Sequence, residues 1–167
     1  MPPEPNITLT LITPEDLDLT LALEGSREVM RFLGGPRDHE NIVRIHQRRI
    51  DLHALGEASM YKITVDGQPA GNVGIWQTEH EGHTVHEMGW LLLPEFHGRG
   101  IATVAAQRLL DQARANPDIR AVHAFPGVDN AASNRICEKL GFTLLGEIAI
   151  DFAGRPLHCN NWRTVLR

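Results

Sequence analysis

Two glycines flank an arginine at Gly98-Arg99-Gly100, between a leucine-rich run and a segment whose apolar residues have helical spacing. Glycine carries no Cβ, so successive main-chain N–H groups at such a junction are open to a ligand. The first N–H groups of a helix also lack intrahelical partners and lie at the positive end of its dipole. The junction therefore predicts a site for a phosphate or pyrophosphate group.

Two common phosphate-binding motifs do not fit this junction. A P-loop requires Gly-Lys followed by Ser or Thr, but Ile101 and Ala102 follow Gly100. The dinucleotide fingerprint G-x-G-x-x-G fails because Thr103 stands in place of its third glycine. A tight turn that needs positive φ at Gly98 and Gly100 is an alternative interpretation. By itself, the glycine pattern is a weak signal.

A longer pattern surrounds the junction. Residues 87–94 read EMGWLLLP, and residues 97–102 read HGRGIA. These segments resemble motif A of the GNAT superfamily of acetyl-CoA-dependent N-acetyltransferases, whose pattern is Gln or Arg, two residues of any type, Gly, any residue, and Gly or Ala. Gly100 and Ala102 match the pattern, whereas His97 departs from it at the first position.

A second segment of the chain also resembles this superfamily, and it follows the first at the expected distance. Residues 130–142, NAASNRICEKLGF, resemble motif B of the same superfamily, with its Asn, its Ser and a terminal Gly-Phe. Residues 28–33, EVMRFL, and the hairpin before Gly74 are similar to the branch that contains the ribosomal-protein N-terminal acetyltransferases. The resemblance covers nearly the whole chain and implies a single GNAT domain over residues 1–167.

The resemblance also implies a fold and a cofactor site. The implied fold is α/β (α+β): a mixed, mostly antiparallel central sheet of about seven strands, with helices on both faces and two splayed central strands. Acetyl-CoA would lie in the gap between those strands, with its pyrophosphate on main-chain amides after position 97 and its pantetheine arm along the strand end. The implied cofactor-binding residues are Leu91, Leu92, Leu93, His97, Gly98, Arg99, Gly100, Ile101, Ala102, Asn130 and Ser133.

Several of these residues also have purely structural interpretations. Leu91 to Leu93 fit a buried strand, and Asn130 and Ser133 fit the cap and the N3 position of a helix. Arg99 fits a solvated surface side chain equally well. The structural and cofactor-binding roles are compatible at most of these positions.

Glu87 is the predicted catalytic base. An amine with a pKa near 10.4 is only about 0.04% neutral at pH 7, so removing its proton costs roughly 4.6 kcal/mol. Glu87 shares strand parity with Val85, Leu91 and Leu93, which predicts an inward-facing carboxylate whose pKa is raised by burial. Related enzymes place a base glutamate on this strand. The alternative is a structural glutamate on an edge strand, paired with a Lys or Arg.

The sequence offers no clear general acid. Many relatives carry a tyrosine at the motif B position that Cys137 occupies here, and Tyr61 is far away in the chain. If the thiol of CoA has a pKa of about 8.5, acid assistance matters less than base assistance. We predict that Cys137 is a core residue of its helix and not a covalent nucleophile.

A metal site is not expected. His80, His83 and His86 recur every third residue, but on a strand this spacing alternates between the two faces, so three imidazoles would not converge. The two cysteines, Cys137 and Cys159, form no C-x-x-C pair, which argues against a zinc site and a disulfide framework.

The spacing of apolar and turn residues predicts the elements that position these side chains. The predicted helical segments run from a Thr13 cap to Leu23, over 26–32 as a short turn, from an Asp38 cap to Leu55, over 101–114 and over 130–140. The predicted strands are 7–11, 60–65, 70–76, 84–93, 121–125 and two that flank Gly154. This order indicates a mixed sheet and not regular βαβ winding.

Composition narrows the function classes. The 167 residues fit one domain, and 42% hydrophobic and 22% charged residues are typical of a globular protein. A formal charge of −5 argues against a nucleic-acid partner, and the longest apolar stretch, 90–93, is too short to span a membrane. We expect a cytoplasmic protein without an export signal.

Together these features predict an N-acetyltransferase that uses acetyl-CoA and works by direct attack of a primary amine in a ternary complex. The acceptor, a small-molecule amine or a protein N-terminus, would bind between the 26–35 segment, the hairpin near Trp76 and the last two strands. The alternative function is a non-catalytic acetyl-CoA-binding regulatory module. The identity of the acceptor, a longer acyl donor and a homodimer, which is frequent among relatives, stay open.

Overall fold

The computed structural model describes residues 1–152 and 154–167. Its helices are α1 (Leu17–Glu24), α2 (His39–Ala54), α3 (Ile101–Arg114) and α4 (Ala131–Lys139). Its strands are β1 (Ile7–Leu11), β2 (Ala58–Val65), β3 (Gln68–His80), β4 (His83–Leu92), β5 (Ala121–Ala124), β6 (Thr143–Phe152) and β7 (Arg155–Val165). The order of helices and strands is the one predicted from the sequence.

The strands form one sheet with the order β1-β2-β3-β4-β5-β7-β6. Every neighbouring pair is antiparallel except β4 and β5, which are parallel. The Asp-Gly pair between β2 and β3 turns the first hairpin, with φ of 49° at Asp66 and 81° at Gly67. The mixed, mostly antiparallel sheet of seven strands is therefore confirmed.

Strands β4 and β5 separate after a short contact. They pair only at His86 with Val122 and at Glu87 with His123, while β4 continues to Leu92. Along 88–92 the described part of β5 offers β4 no ladder partner on that side, so main-chain groups there need another partner. This gap is the predicted splay of two central strands.

Helices cover both faces of the sheet. The amphipathic helix α3 buries Ile101, Ala105 and Leu109 in one core cluster with Met88 and Leu92 of β4. Helices α1 and α2 pack against β3 and β2 on the other face. The two apolar side chains of β4 that face α3 therefore define which face of that strand belongs to the core.

The segment after α1 differs from the prediction. A short helical turn was expected over 26–32, but residues 27–34 form a run of turns. One α-helical bond is present, from the Met30 N–H to the Ser26 carbonyl at 3.1 Å, and the N–H groups of Leu33 and Gly35 both donate to the Met30 carbonyl, at 2.9 and 3.0 Å. Gly34 and Gly35 have φ of 85° and 92°, a conformation that closes the segment before a helix can continue.

Candidate active site

Two cavities open onto the gap between β4 and β5. The first has a volume of about 480 Å³ and is lined by Glu87, by residues of α2 and by the 26–35 segment; we call it the Glu87 cavity. The second, the glycine cavity, has a volume of about 390 Å³ and is lined by the Gly98 to Gly100 junction and the start of α3. Six residues line both cavities: Val29, Phe32, Trp90, Leu91, Asn130 and Ser133. The two cavities therefore meet at the gap in the sheet.

The glycine cavity has the form of an anion cradle. Gly98 and Gly100 both have φ of 73°, and Gly100 is the N-cap of α3. A Cβ added at either glycine would meet no protein atom within 4 Å, so the space beside the backbone is open. The N–H groups of Ile101 and Ala102 lie in the first turn of α3, where a helix leaves its donors unpaired. Both the turn that needs positive φ and the predicted cradle are present.

The charged side chains around the glycine cavity suit an anionic ligand. Arg31, Arg135 and Lys139 line it, against the single acid Glu28. Positive charge at a cavity wall adds to the helix N-terminus in attracting phosphate groups. The donor set therefore fits the pyrophosphate of a CoA molecule.

His97 and Arg99 have different environments although they flank the same glycine. His97 lines the glycine cavity, and its Nε2 donates a hydrogen bond of 2.8 Å to the Leu92 carbonyl. Arg99 is exposed, lies outside the linings of both cavities in the described chain, and has its guanidinium carbon 5.7 Å from the Phe96 ring centroid. The position of Arg99 favours the solvated interpretation.

Of the three leucines at the end of β4, the structure brings the main chain of Leu92 to the gap. The Leu93 N–H donates to the Ala70 carbonyl of β3 at 2.8 Å. Along an antiparallel strand, the main-chain N–H and C=O groups of successive residues point alternately to the two neighbouring strands. The main-chain groups of Leu91 therefore point toward β3, and those of Trp90 and Leu92 point toward the gap. Leu91 contributes its side chain, which lines both cavities, and Leu93 lines neither in the described chain.

Asn130 and Ser133 combine the two roles considered from the sequence. The Asn130 side chain caps α4 by accepting a hydrogen bond of 3.2 Å from the Ser133 N–H. The Ser133 hydroxyl accepts a hydrogen bond of 3.3 Å from the Trp90 indole. Both residues also line the junction of the two cavities, so capping leaves them accessible to a ligand.

Glu87 lies on the wall of the Glu87 cavity beside the gap. Burial raises the pKa of its carboxyl to about 7, and a hydrogen bond of 3.1 Å from the Trp76 indole to its Oε2 opposes that shift. No Lys or Arg of the described chain forms an ion pair with Glu87, and β4 is a central strand. The alternative of an ion-paired glutamate on an edge strand is therefore wrong. A carboxylate with a pKa near neutrality is suited to accept a proton.

Glu87 is partly buried, as strand parity predicts, but on the other face of the sheet from the one that α3 covers. The side chains of β4 that enter the core are Met88 and Leu92, so Glu87 and Leu91 point to the opposite face of the sheet. That face is the one that carries the Glu87 cavity. Its carboxylate is therefore shielded by a cavity wall and not by the core that α3 covers.

Neither residue considered as a general acid lies at the gap. Tyr61 packs against the core cluster, and Cys137 is fully buried in it. Burial raises the pKa of the Cys137 thiol to about 12, which suppresses the thiolate needed for covalent chemistry. Neither side chain lines the Glu87 cavity or the glycine cavity. Cys137 is the core residue that the sequence predicted.

Residues 1–152 and 154–167 contain no group of three or more His, Cys, Asp or Glu side chains arranged to hold a metal ion. His80 packs against His123 and Phe125, with ring centroids 5.6 and 5.2 Å apart.

Within residues 1–152 and 154–167, no helix combines the length and the apolar character needed to cross a bilayer.

Trp90 is central to the site but is not among the cofactor-binding residues predicted from the sequence, which indicates only a core or pocket-wall aromatic at this position. Trp90 lines both cavities, points its main chain to the gap and binds Ser133 through its indole. Its position in a leucine-rich strand resembles that of a core aromatic, and only the register between β3 and β4 distinguishes the two. Phe152 of β6 and Phe32 also line the Glu87 cavity, as the predicted acceptor region of the 26–35 segment and the last strands implies.

Comparison with known proteins agrees with this geometry. The sequence matches the Acetyltransferase (GNAT) domain family over residues 6–143. A spermidine N(1)-acetyltransferase of Escherichia coli (strain K12) is 26% identical over 153 residues, which cover 91% of this chain and 81% of that protein.

Solved structures share the fold over almost the full length. A RimL ribosomal L7/L12 alpha-N-protein acetyltransferase in complex with coenzyme A superposes with a TM-score of 0.81 at 25% identity, covering 95% of this chain and 93% of that one. A spermidine N-acetyltransferase from Vibrio cholerae in complex with CoA and spermine superposes with a TM-score of 0.79 at 18% identity, covering 96% and 95%.

The RimL structures among these neighbours agree with the branch that residues 28–33 indicated. The family match spans most of the sequence and includes the glycine junction, Glu87 and the Asn130 cap. The chain therefore belongs to the GNAT family of acetyltransferases.

Proposed function

We propose that the protein transfers an acetyl group from acetyl-CoA directly to a primary amine, with both substrates bound at once. The observation that carries this proposal is the meeting of two cavities at the gap between β4 and β5, with Glu87 on one side and the glycine junction on the other. A cofactor arm and an amine could approach each other there from opposite sides.

The glycine cavity would hold acetyl-CoA, which supplies an acetyl group activated as a thioester. The N–H groups of Ile101 and Ala102 would bind the pyrophosphate, with Arg135 and Lys139 adding positive charge at the wall. The main chain of Trp90 and the N–H of Leu92 would pair with the pantetheine arm in the gap, because the Leu92 carbonyl already accepts a hydrogen bond from His97. An N–H group of that strand would also stabilise negative charge on the thioester carbonyl oxygen.

Glu87 would accept the proton of the amine, directly or through a water molecule. Moving a proton from an amine of pKa about 10.4 to a carboxylate becomes easier as the pKa of the carboxyl rises. The shift at Glu87, from 4.5 to about 7, reduces that cost by on the order of 3 kcal/mol. A protein N-terminus, with a pKa of about 8, would need still less assistance.

The leaving thiolate would depart without a protein acid. Tyr61 and Cys137 both lie away from the gap, and a thiol pKa of about 8.5 makes the thiolate an adequate leaving group near pH 7. The acceptor class is a small-molecule amine or a protein N-terminus, as in the relatives named above. We place the reaction in the cytoplasm, because two free buried cysteines suit a reducing compartment.

The missing acid also supports a second candidate, a regulatory module that binds acetyl-CoA without turnover. A panel of amines incubated with acetyl-CoA, with detection of free thiol beside a thermal-shift measurement of CoA binding, separates the two. Amine-dependent thiol release supports the enzyme. Stabilisation by CoA without thiol release on any amine supports the module and contradicts the enzyme. Replacing acetyl-CoA by longer acyl-CoA donors in the same assay identifies the acyl group.

A further inference from the structure

The Glu87 cavity carries more positive than negative charge. Arg37, Arg48 and Arg49 line it, against two carboxylates, Glu24 and Glu87. The cavity is thus lined by three cations and two acids even when Glu87 is ionised, and its net positive charge grows when Glu87 takes up a proton.

Glu24 fixes two of these arginines in place. Its side chain is 1% exposed, and its carboxylate accepts two hydrogen bonds from Arg49, of 2.6 and 3.1 Å. The same carboxylate lies 3.2 Å from the Nε of Arg37. A buried acid that holds two guanidinium groups is a rigid anchor, because breaking either contact would remove part of the compensation of its buried charge.

Arg37 is held on two sides and keeps its terminal nitrogens for another partner. Its guanidinium carbon lies 4.7 Å from the centroid of the Phe152 ring, which also lines the cavity. Its Nε is buried and, although 3.2 Å from a Glu24 oxygen, makes no hydrogen bond within the described chain. Its two terminal nitrogens make none there either. A planar guanidinium fixed in this way is preorganised to bind a carboxylate through two parallel hydrogen bonds.

We infer that the acceptor amine also carries a carboxylate, which Arg37 binds while the amine lies at Glu87. Arg48, on the exposed surface of α2, adds attraction at the cavity wall. This inference rests on the proposed function and specifies its substrate class as an amino acid or a short peptide with a free carboxylate. A polyamine such as spermidine would bring additional positive charges into a cavity that is already positive, so it is the disfavoured acceptor.

Matched acceptors test the inference directly. A set of α-amino acids, each beside its carboxamide, and spermidine are compared for kcat/KM with acetyl-CoA, each value divided by the fraction of the amine that is neutral at the assay pH. We expect each acid to exceed its carboxamide by about tenfold or more, the usual worth of a hydrogen-bonded charge pair. Arg37→Gln should abolish that preference, and Arg48→Gln should reduce it several-fold. Arg44→Gln is the control, since Arg44 is on the same helix but binds Asn41 on the exposed surface.

The outcomes separate the inference from the function on which it rests. Equal kcat/KM for acid and carboxamide, or better turnover of spermidine, overturns the inference and leaves the acetyltransferase standing. If no amine releases thiol, the proposed function fails, and calorimetry on the CoA-bound protein decides the inference. Tighter binding of the acid than of the carboxamide supports the carboxylate site, and equal binding overturns it. If Arg37→Gln does not fold, the preference for acid over carboxamide is compared in Arg48→Gln and Arg44→Gln. The same preference in these two variants overturns the inference.

Discussion

The indole Nε1 of Trp76 donates a hydrogen bond of 3.1 Å to Oε2 of Glu87, from the directly opposite position on the neighbouring strand β3. Two opposing effects thus set the pKa of this carboxyl. Burial raises it, and the indole lowers it because the bond is stronger to the ionised form. Trp76 therefore adjusts the proposed base toward neutral pH.

Removing this donor should move the pH dependence of the reaction. In Trp76→Phe the pKa of Glu87 should rise, so the acid limb of kcat/KM should shift to higher pH by about one unit, given the usual worth of a hydrogen bond to a charged group. Trp162→Phe is the matched control, because its indole binds Asn134 at 2.8 Å and not Glu87. An identical midpoint in wild type and Trp76→Phe would show that the indole does not influence the base.

The raised pKa of Glu87 should also appear in stability. Because the folded pKa of about 7 lies above the unfolded value near 4.5, the folded state binds the extra proton, and the free energy of unfolding falls as pH rises from 4.5 to 7. The loss is on the order of 3 kcal/mol. Glu87→Gln mimics the protonated form and lacks this term.

The measurement is the melting temperature of wild type and Glu87→Gln at pH 4.5 and pH 8. The difference between the two proteins should widen in favour of the variant by roughly 5 to 10 °C at the higher pH. Other titrating groups are common to both proteins and cancel in the comparison. A difference that is the same at both pH values would place the pKa of Glu87 near its ordinary value.

The glycine cradle predicts that a substitution at Gly100 weakens CoA binding, whereas an equally strained substitution elsewhere lowers stability alone. Gly100→Ala places a Cβ in the open space beside the start of α3, so CoA should bind at least about tenfold more weakly, the effect of losing on the order of 1.4 kcal/mol. Gly56→Ala introduces the same backbone strain, at φ of 75° instead of 73°, outside both cavity linings. Each variant should lose about 1 to 2 kcal/mol of stability. Equal CoA affinity in the two variants would argue against the cradle.

The two roles of Asn130 should be separable. Asn130→Ala removes the cap of α4 and should lower stability by about 1 kcal/mol, whereas Asn130→Ser retains a good capping residue. Both variants shorten the side chain that lines the junction of the cavities, so both should bind CoA more weakly. Chemical denaturation and calorimetry measure the two effects. Full CoA affinity in Asn130→Ser would reduce Asn130 to a structural cap.

The sequence was informative where a local rule decides the structure. The positive φ of Gly98 and Gly100, the Asn130 cap and the Asp66-Gly67 turn each follow from the conformational preferences of a few neighbouring residues. The two motifs supplied the splay of β4 and β5 through resemblance. Each of these features could be predicted without knowing how the elements pack.

The sequence was less informative where the pairing and packing of β4 decide which way its side chains and main-chain groups point. Which face of β4 holds the core depends on the packing of α3 against Met88 and Leu92, which strand parity alone does not reveal. The same register turns the main chain of Trp90 and Leu92, and not that of Leu93, toward the gap. The three arginines of the Glu87 cavity come from α2 and the loop before it, and two of them contact Glu24 of α1, which is distant in the sequence.

The central claim is that Glu87 removes a proton from an amine held opposite bound acetyl-CoA. It is tested most directly by the rate of acetyl transfer in Glu87→Gln across pH, measured beside CoA affinity in the same protein. We predict that kcat falls about 100-fold or more at pH 7 and that the pH–rate profile loses its acid limb near pH 7. The affinity for CoA should stay within about twofold of wild type. Unchanged acetyl transfer in a variant that still binds CoA would contradict the claim.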